Sequence, residues 1–223
     1  QQVAGENNQA IDTLTRAAKL QPQNPAPLLR LAGVELAAKD FNGAIDTLHK
    51  AIALQPQQIA GWLALSTVYG VADRIDAGIA DAHKLQKEYP VRAGGFALEG
   101  ELLARQKKFD AAATAYREAL AREPLPLLSV RLYSALQAAG KTEQASVMAQ
   151  RWQKEHPSDA LLQDFQGQQA VAAKDYRAAV QHFNAVIAVE PENTAALNNL
   201  AWTLNELGDP KALEYAERAS ALA

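Results

Sequence analysis

Lys39–Pro56, KDFNGAIDTLHKAIALQP, is a phrase the chain repeats twice more. Lys107–Pro124 reads KKFDAAATAYREALAREP, and Lys174–Pro191 reads KDYRAAVQHFNAVIAVEP. The three starts lie 68 and 67 residues apart, or two steps of about 34 each. A fixed period of this size marks stacked repeats and outranks any local motif. The prolines Pro22, Pro56, Pro90, Pro124, Pro157 and Pro191 keep the register, at spacings of 34, 34, 34, 33 and 34. Each stops a helix, because proline lacks the N–H and pushes the residue before it out of the α region. A second set of breaks falls midway: Lys39-Asp40, Ala72-Asp73, Lys107-Lys108, Gly140-Lys141, Lys174-Asp175 and Gly208-Asp209. Each unit is therefore helix, turn, helix, turn.

The pattern predicts helices over 7–20, 26–38, 42–54, 60–72, 75–88, 94–106, 110–122, 127–138, 142–155, 159–173, 176–189, 194–207 and 211–222. Asn24-Pro25, Ser158 and Asn193 are the expected caps, and Thr142 follows the stop at Gly140. Apolar residues fall at three- and four-residue steps, as in Leu197, Leu200, Ala201, Leu204 and Leu207. No alternating strand pattern competes.

Composition narrows the function classes. Hydrophobic residues make up 48% of the chain but aromatics only 6%, so a large core is built mainly from small and aliphatic groups that let helices approach closely. A net charge of −3 without a basic block argues against nucleic acid. The absence of Cys removes disulfides, zinc–thiolate sites and thiol nucleophiles. No stretch approaches the ~18 apolar residues of a membrane span. There is no signal peptide at the N-terminus; any targeting segment is expected upstream of Gln1, because the chain starts in the middle of a repeat.

The period and its residues resemble the tetratricopeptide repeat, W-x2-L-G-x2-Y, then A-x3-F, then P. Trp62, Leu65 and Tyr69 match the first helix, with Ser66, Gly100 and Gly167 in the small position. Ala44, Ala112, Ala145 and Ala179 fill the first small position of the second helices, followed four later by Leu48, Tyr116, Ala149 and Phe183. Ala17, Ala51 and Ala119 fill the second small position. Small residues let the helices of a unit close up, and large ones plug the gap to the next. The resemblance implies an all-α, right-handed superhelical solenoid of antiparallel helix pairs. Its expected units are 1–24 (partial), 25–58, 59–92, 93–125, 126–159, 160–193 and 194–223 (partial), in one array. Three departures stand out. Glu99 replaces an expected Leu just after Gly94-Gly95, which predicts a loose helix start. Gly78 replaces an Ala. One residue is missing near Pro124–Pro126, which should alter the angle between two repeats. Residues 78–99 are therefore the expected weak point.

The C-terminal stretch ALNNLAWTLNELGDPKALEYAERASALA, Ala196–Ala223, resembles the late repeats of tetratricopeptide lipoproteins of the exosortase/PEP-CTERM sorting system of exopolysaccharide-producing Gram-negative bacteria. NNLAW followed by GDPKALEYAERA carries the likeness. It implies a periplasmic or outer-membrane-anchored protein, with its lipid-bearing Cys upstream.

Catalytic and metal chemistry find little footing. His49, His83, His156 and His182 include no pair at i,i+3 or i,i+4, so no helical metal pair forms. His49 and His83 are 34 apart and read as equivalent, solvated outer-face residues. No GxSxG, Walker loop or HExxH occurs. A solenoid spreads its polar groups along a surface, whereas catalysis needs them to converge. No enzyme and no cofactor is expected. Asp110, Arg117, Glu118, Arg122 and Glu123 read as mixed-sign pairs on a solvated face.

In tetratricopeptide arrays the first helices line a concave groove that holds extended peptides or partner helices. That geometry implies a groove displaying Arg30, Gly33, Leu63, Thr67, Ala97, Glu101, Arg105, Arg131, Ser134, Asp164, Gln168, Asn198, Asn199, Trp202 and Asn205. The lysine–asparagine set of chaperone-tail readers is absent, since Leu29, Gly33, Ala64 and Gly94 hold those places. Asn198, Trp202 and Asn205 fall on one helical stripe beside the core stripe. The expected function is non-catalytic protein–protein interaction, as an envelope scaffold for secretion or exopolysaccharide assembly. A cytoplasmic adaptor binding an extended peptide, and self-association through exposed ends, are the alternatives.

Overall fold

The computed structural model describes residues 2–222, with side chains from residue 7 onward; Gln1 and Ala223 lie outside the described residues. Its helices are α1 (Gln2–Leu20), α2 (Ala26–Ala37), α3 (Phe41–Leu54), α4 (Ile59–Val71), α5 (Ile75–Glu88), α6 (Gly94–Arg105) and α7 (Phe109–Arg122). The series continues with α8 (Pro126–Ala138), α9 (Thr142–Glu155), α10 (Leu161–Ala172), α11 (Tyr176–Val189), α12 (Thr194–Glu206) and α13 (Ala212–Ala221). No strand occurs among the described residues. The boundaries lie within two residues of those expected, except that α1 begins at Gln2 rather than residue 7.

The turn inside each hairpin is built one way. Lys39, Asp73, Lys107 and Lys174 have φ between 56° and 62°, and Gly140 and Gly208 have φ of 74° and 68°. A left-handed residue past the helix end lets the next N–H reach back five residues and satisfy a last-turn carbonyl. Asp40 N–H reaches Glu35 O at 2.8 Å, Arg74 reaches Tyr69 O at 2.9 Å and Asp209 reaches Leu204 O at 2.9 Å. Asp40, Asp175 and Asn193 then cap the following helices, each side chain accepting a backbone N–H. Asn24 accepts from Ala26 N–H at 3.0 Å. Ser158 does not cap α10. Asp159 supersedes it, since its Oδ1 accepts from Leu161 N–H at 2.9 Å while its Oδ2 takes the Trp152 indole N–H at 2.5 Å. A carboxylate beats a hydroxyl there because it serves two donors at once.

The chain divides into two compact units, one of Gln1–Pro124 with Ala135–Gly140, the other of Leu125–Ser134 with Lys141–Ala223. In the first, α2 packs on α3, α4 on α3 and α5, and α6 on α4, α5 and α7. Its core joins Leu48, Ile52, Trp62, Leu65, Tyr69, Leu98 and Leu102, all buried. Ala44 and Ala112 are 0% exposed, as the register requires of the small position. The glycines do not loosen this unit. A Cβ on Gly94 would lie 2.1 Å from the Trp62 indole, and one on Gly78 would lie 2.7 Å from the Tyr69 ring. One on Gly95 would sit 3.1 Å from the Gln86 backbone nitrogen. The expected loose start of α6 is thus corrected: glycine stands there because rings and backbone occupy the space a side chain would need.

In the second unit α11 lies between α10 and α12, and α12 packs on α13. Ala179, Phe183, Leu200 and Leu204 are its buried centre, with Ala212 and Tyr215 of α13 against them. Ala160, Val186 and Ala196 close the junction of α11 with α12.

Candidate partner-binding face

Burial sorts α12 into two faces. On α12, Leu197, Leu200, Ala201 and Leu204 are buried, while Asn198, Trp202 and Asn205 are exposed. Trp202 is 47% exposed although its ring meets Tyr176 of α11 edge-on, with centroids 5.7 Å apart. A Trp left half in water beside another aromatic keeps apolar area available. Asn198 and Asn205 have no hydrogen-bond partner for their amides among the described residues, and neither has half-buried Asn199, whose carbonyl accepts the Thr203 hydroxyl at 2.6 Å. On α10, Asp164 and Gln168 are joined at 2.7 Å. Burial raises the Asp164 pKa, and the bond from Gln168 opposes it. Arg131, half-buried on α8, belongs to the same unit.

In the first unit Arg30 and Arg105 are exposed, and Thr67 and Glu101 half-buried. The Thr67 hydroxyl donates to Leu63 O of its own helix at 3.1 Å. Arg105 lies across Gly70 of α4, where a Cβ would be 2.9 Å from the guanidinium carbon. Gly33 faces open space. Ala97 is corrected: at 0% exposure it belongs to the core and offers nothing to a partner.

Several polar groups acquire roles that spacing did not signal. His49 Nε2 lies 2.7 Å from Asp81 Oδ2, and the Tyr69 hydroxyl donates to the same oxygen at 2.9 Å. Glu99, the expected leucine, takes Gln86 at 2.6 Å and faces His83 at 3.0 Å, tying α5 to α6. The two histidines hold equivalent register positions but have different partners, and neither is free. The register explains it: His83 would need a carboxylate at 115, where buried Ala115 stands. His182 faces Gln163 at 2.7 Å. Arg122 pairs with Glu118 at 2.8 Å as expected and also covers the Phe96 ring, while Glu123 turns away to Arg92 and the Ala93 N–H. No group of three or more His, Asp or Glu side chains suited to a metal ion occurs among the described residues. No helix among them is long and apolar enough to cross a membrane.

Hairpins repeated every 34 or so residues define a helical repeat protein. The chain belongs to the tetratricopeptide-repeat family, whose models match residues 4–68, 63–127 and 166–222. Proteins of this family are generally protein-interaction scaffolds. No curated protein matches the chain significantly. Among solved structures it is similar to PilF of Pseudomonas aeruginosa, with a TM-score of 0.52, 16% identity and coverage of 97% of this chain and 93% of that one. It is also similar to a thermophilic tetratricopeptide protein of Thermus thermophilus, with a TM-score of 0.49, 20% identity and coverage of 82% and 92%. YrrB, described as having an unusual peptide-binding site, gives 0.40, 16%, 94% and 91%.

Proposed function

We propose that this protein is a non-catalytic scaffold that holds a segment of a partner protein on its first helices, and that Asn198, Asn199, Trp202 and Asn205 are its main contact. The observation that carries this reading is the stripe on α12, three amides without internal partners around a tryptophan that is 47% exposed. An asparagine both donates and accepts, so it pairs with a peptide backbone whatever the side chains. A rigid aromatic beside it supplies apolar area, as interface anchors do. In the same unit Arg131, Asp164 and Gln168 add first-helix groups of mixed charge, so the segment held there is not strongly charged; Arg30, Thr67, Glu101 and Arg105 are the first-helix candidates of the other unit.

The finer reading places the scaffold in the periplasm or on the outer membrane, in exopolysaccharide assembly or PEP-CTERM protein sorting. It is supported by the phrase NNLAW followed by GDPKALEYAERA. Photo-crosslinkers placed at Asn198 and Gln168 in the full-length protein, with Gln144 and Arg117 as exposed second-helix controls, test both readings in cells. Crosslinks confined to the first-helix positions, to an envelope protein, are expected. Equal crosslinking at the controls would sink the face assignment, and a cytoplasmic partner would sink the envelope reading.

A further inference from the structure

The second helices α3 and α5 belong to successive hairpins; an exposed bond runs from Arg74, the N-cap residue of α5, to Asn42 of α3 at 2.7 Å, and a part-buried one lies further along. His49 of α3 meets Asp81 of α5 at 2.7 Å, and Tyr69 of the intervening α4 donates to the same carboxylate oxygen at 2.9 Å. Three helices of two hairpins thus converge on a single atom. The next hairpin lacks the set: one period on, Tyr69, Asp81 and His49 become Leu103, Ala115 and His83, and His83 pairs elsewhere. Nothing in helical-hairpin stacking requires it, since the apolar core already surrounds Tyr69.

We propose that His49, Asp81 and Tyr69 form a proton-operated latch between the first two complete hairpins, tight when the imidazole is charged and slack when it is neutral. With a charged imidazole the bond to the carboxylate is an ion pair, charged on both sides; with a neutral imidazole only the acceptor carries charge, so the attraction falls. The other charged groups facing the imidazole are Glu88 of α5 and Asp46 of its own helix, both acidic, so the surroundings favour the cation. Lys84 lies near Asp81 and Arg74 near Tyr69. The hydrogen bond to Asp81 holds His49 above the ordinary histidine range, against the opposing effect of burial. Burial pushes Asp81 up, but the bonds from His49 and Tyr69 outweigh it and leave the carboxyl below its usual range. Burial and the bond to Asp81 push Tyr69 up, so its hydroxyl stays a donor throughout.

The sign follows from these directions. A raised histidine stabilises fully below its unfolded value and loses that contribution as pH rises through the folded one. A depressed carboxylate fails only in acid, as pH falls through its own folded value. The latch is therefore closed between those limits and opens on the alkaline side.

Hydrogen exchange of the whole chain, corrected for intrinsic rates, tests this at pH 5.5 and pH 8. Amides of α3 and α5 should exchange about fivefold faster at the higher pH, with α12 and α13, which carry no histidine, as internal reference. His49→Gln, which keeps a neutral donor, should give the slack rate at both values, and Tyr69→Phe should weaken protection at both while keeping the pH dependence. An equal pH response in His49→Gln, or none in the wild type, would overturn the latch.

Discussion

Gly100 and Tyr116 share a space that holds only one side chain. A Cβ on Gly100 of α6 would stand 2.7 Å from the Tyr116 ring of α7. Gly167 of α10 and Phe183 of α11 repeat the relation at 2.6 Å. In the hairpin between them the sizes are exchanged, with Tyr133 on the first helix and Ala149 on the second, sixteen residues apart as in the other two pairs. At the two glycine seams the ring of one helix fills the space that the glycine of the other leaves.

Gly100→Ala should therefore destabilise by about 1–2 kcal/mol, because overpacking against a ring 2% exposed outweighs the helix propensity gained. Gly33→Ala adds the same methyl where nothing lies within 4 Å and should stabilise by up to about 1 kcal/mol. Denaturant unfolding of the two variants, with helix content checked by circular dichroism, separates them. The same sign for both would remove the seam argument.

The left-handed turn residues give a second contrast. Lys39, Asp73, Lys107 and Lys174 carry side chains at φ values that favour glycine. Replacing any of them with Gly should raise stability by roughly 0.5–1 kcal/mol, and Gly140→Ala should lower it by a similar amount. Shifts of the denaturation midpoint at constant slope check this.

Glu35 supplies a pH prediction. It is 9% exposed, with Oε2 unpartnered, at the place where Tyr69, Leu103, Leu136 and Leu204 stand in other hairpins. Burial raises its carboxyl, while the Thr47 hydroxyl beside it pulls the other way. A carboxyl with a raised folded value favours the protonated form, so its contribution is present in acid and lost as pH rises through that value. Glu35→Leu should stabilise by about 1–2 kcal/mol at pH 7 and by less at pH 4. Thermal unfolding at the two pH values decides, and a gain that grows toward acid contradicts it.

Residues 78–99 should exchange their amides slowly. Gly78, Gly94 and Gly95 all sit in contact with neighbours, and α6 packs on three helices. Protection in α6 should exceed that in α13, which packs on α12. Faster exchange in α6 would restore the loose start that its glycine pair suggests.

That reversal shows what the sequence makes legible and what it hides. The proline spacing and the small positions at Ala44, Ala112 and Ala179 read correctly because each is a local signal repeated several times. Gly94-Gly95 misled because glycine has two causes, freedom and crowding, and the ring that crowds Gly94 lies 32 residues away at Trp62. His49 and Asp81 are likewise 32 apart on different helices, and no local spacing connects them. Ala97 reads as groove by register yet is buried, because α6 is held on both sides by α4 and α5. The stripe at Asn198, Trp202 and Asn205 was legible because core and surface positions alternate on a single helix.

The most direct test of the scaffold reading is the affinity of a partner recovered by crosslinking at Asn198. It is measured by calorimetry against wild type and the triple variant Asn198→Ala, Trp202→Ala, Asn205→Ala. All three residues are exposed, so helix content should be unchanged. Affinity should fall at least about tenfold, or roughly 1.4 kcal/mol. Equal affinity in a folded variant would contradict the assignment of this face.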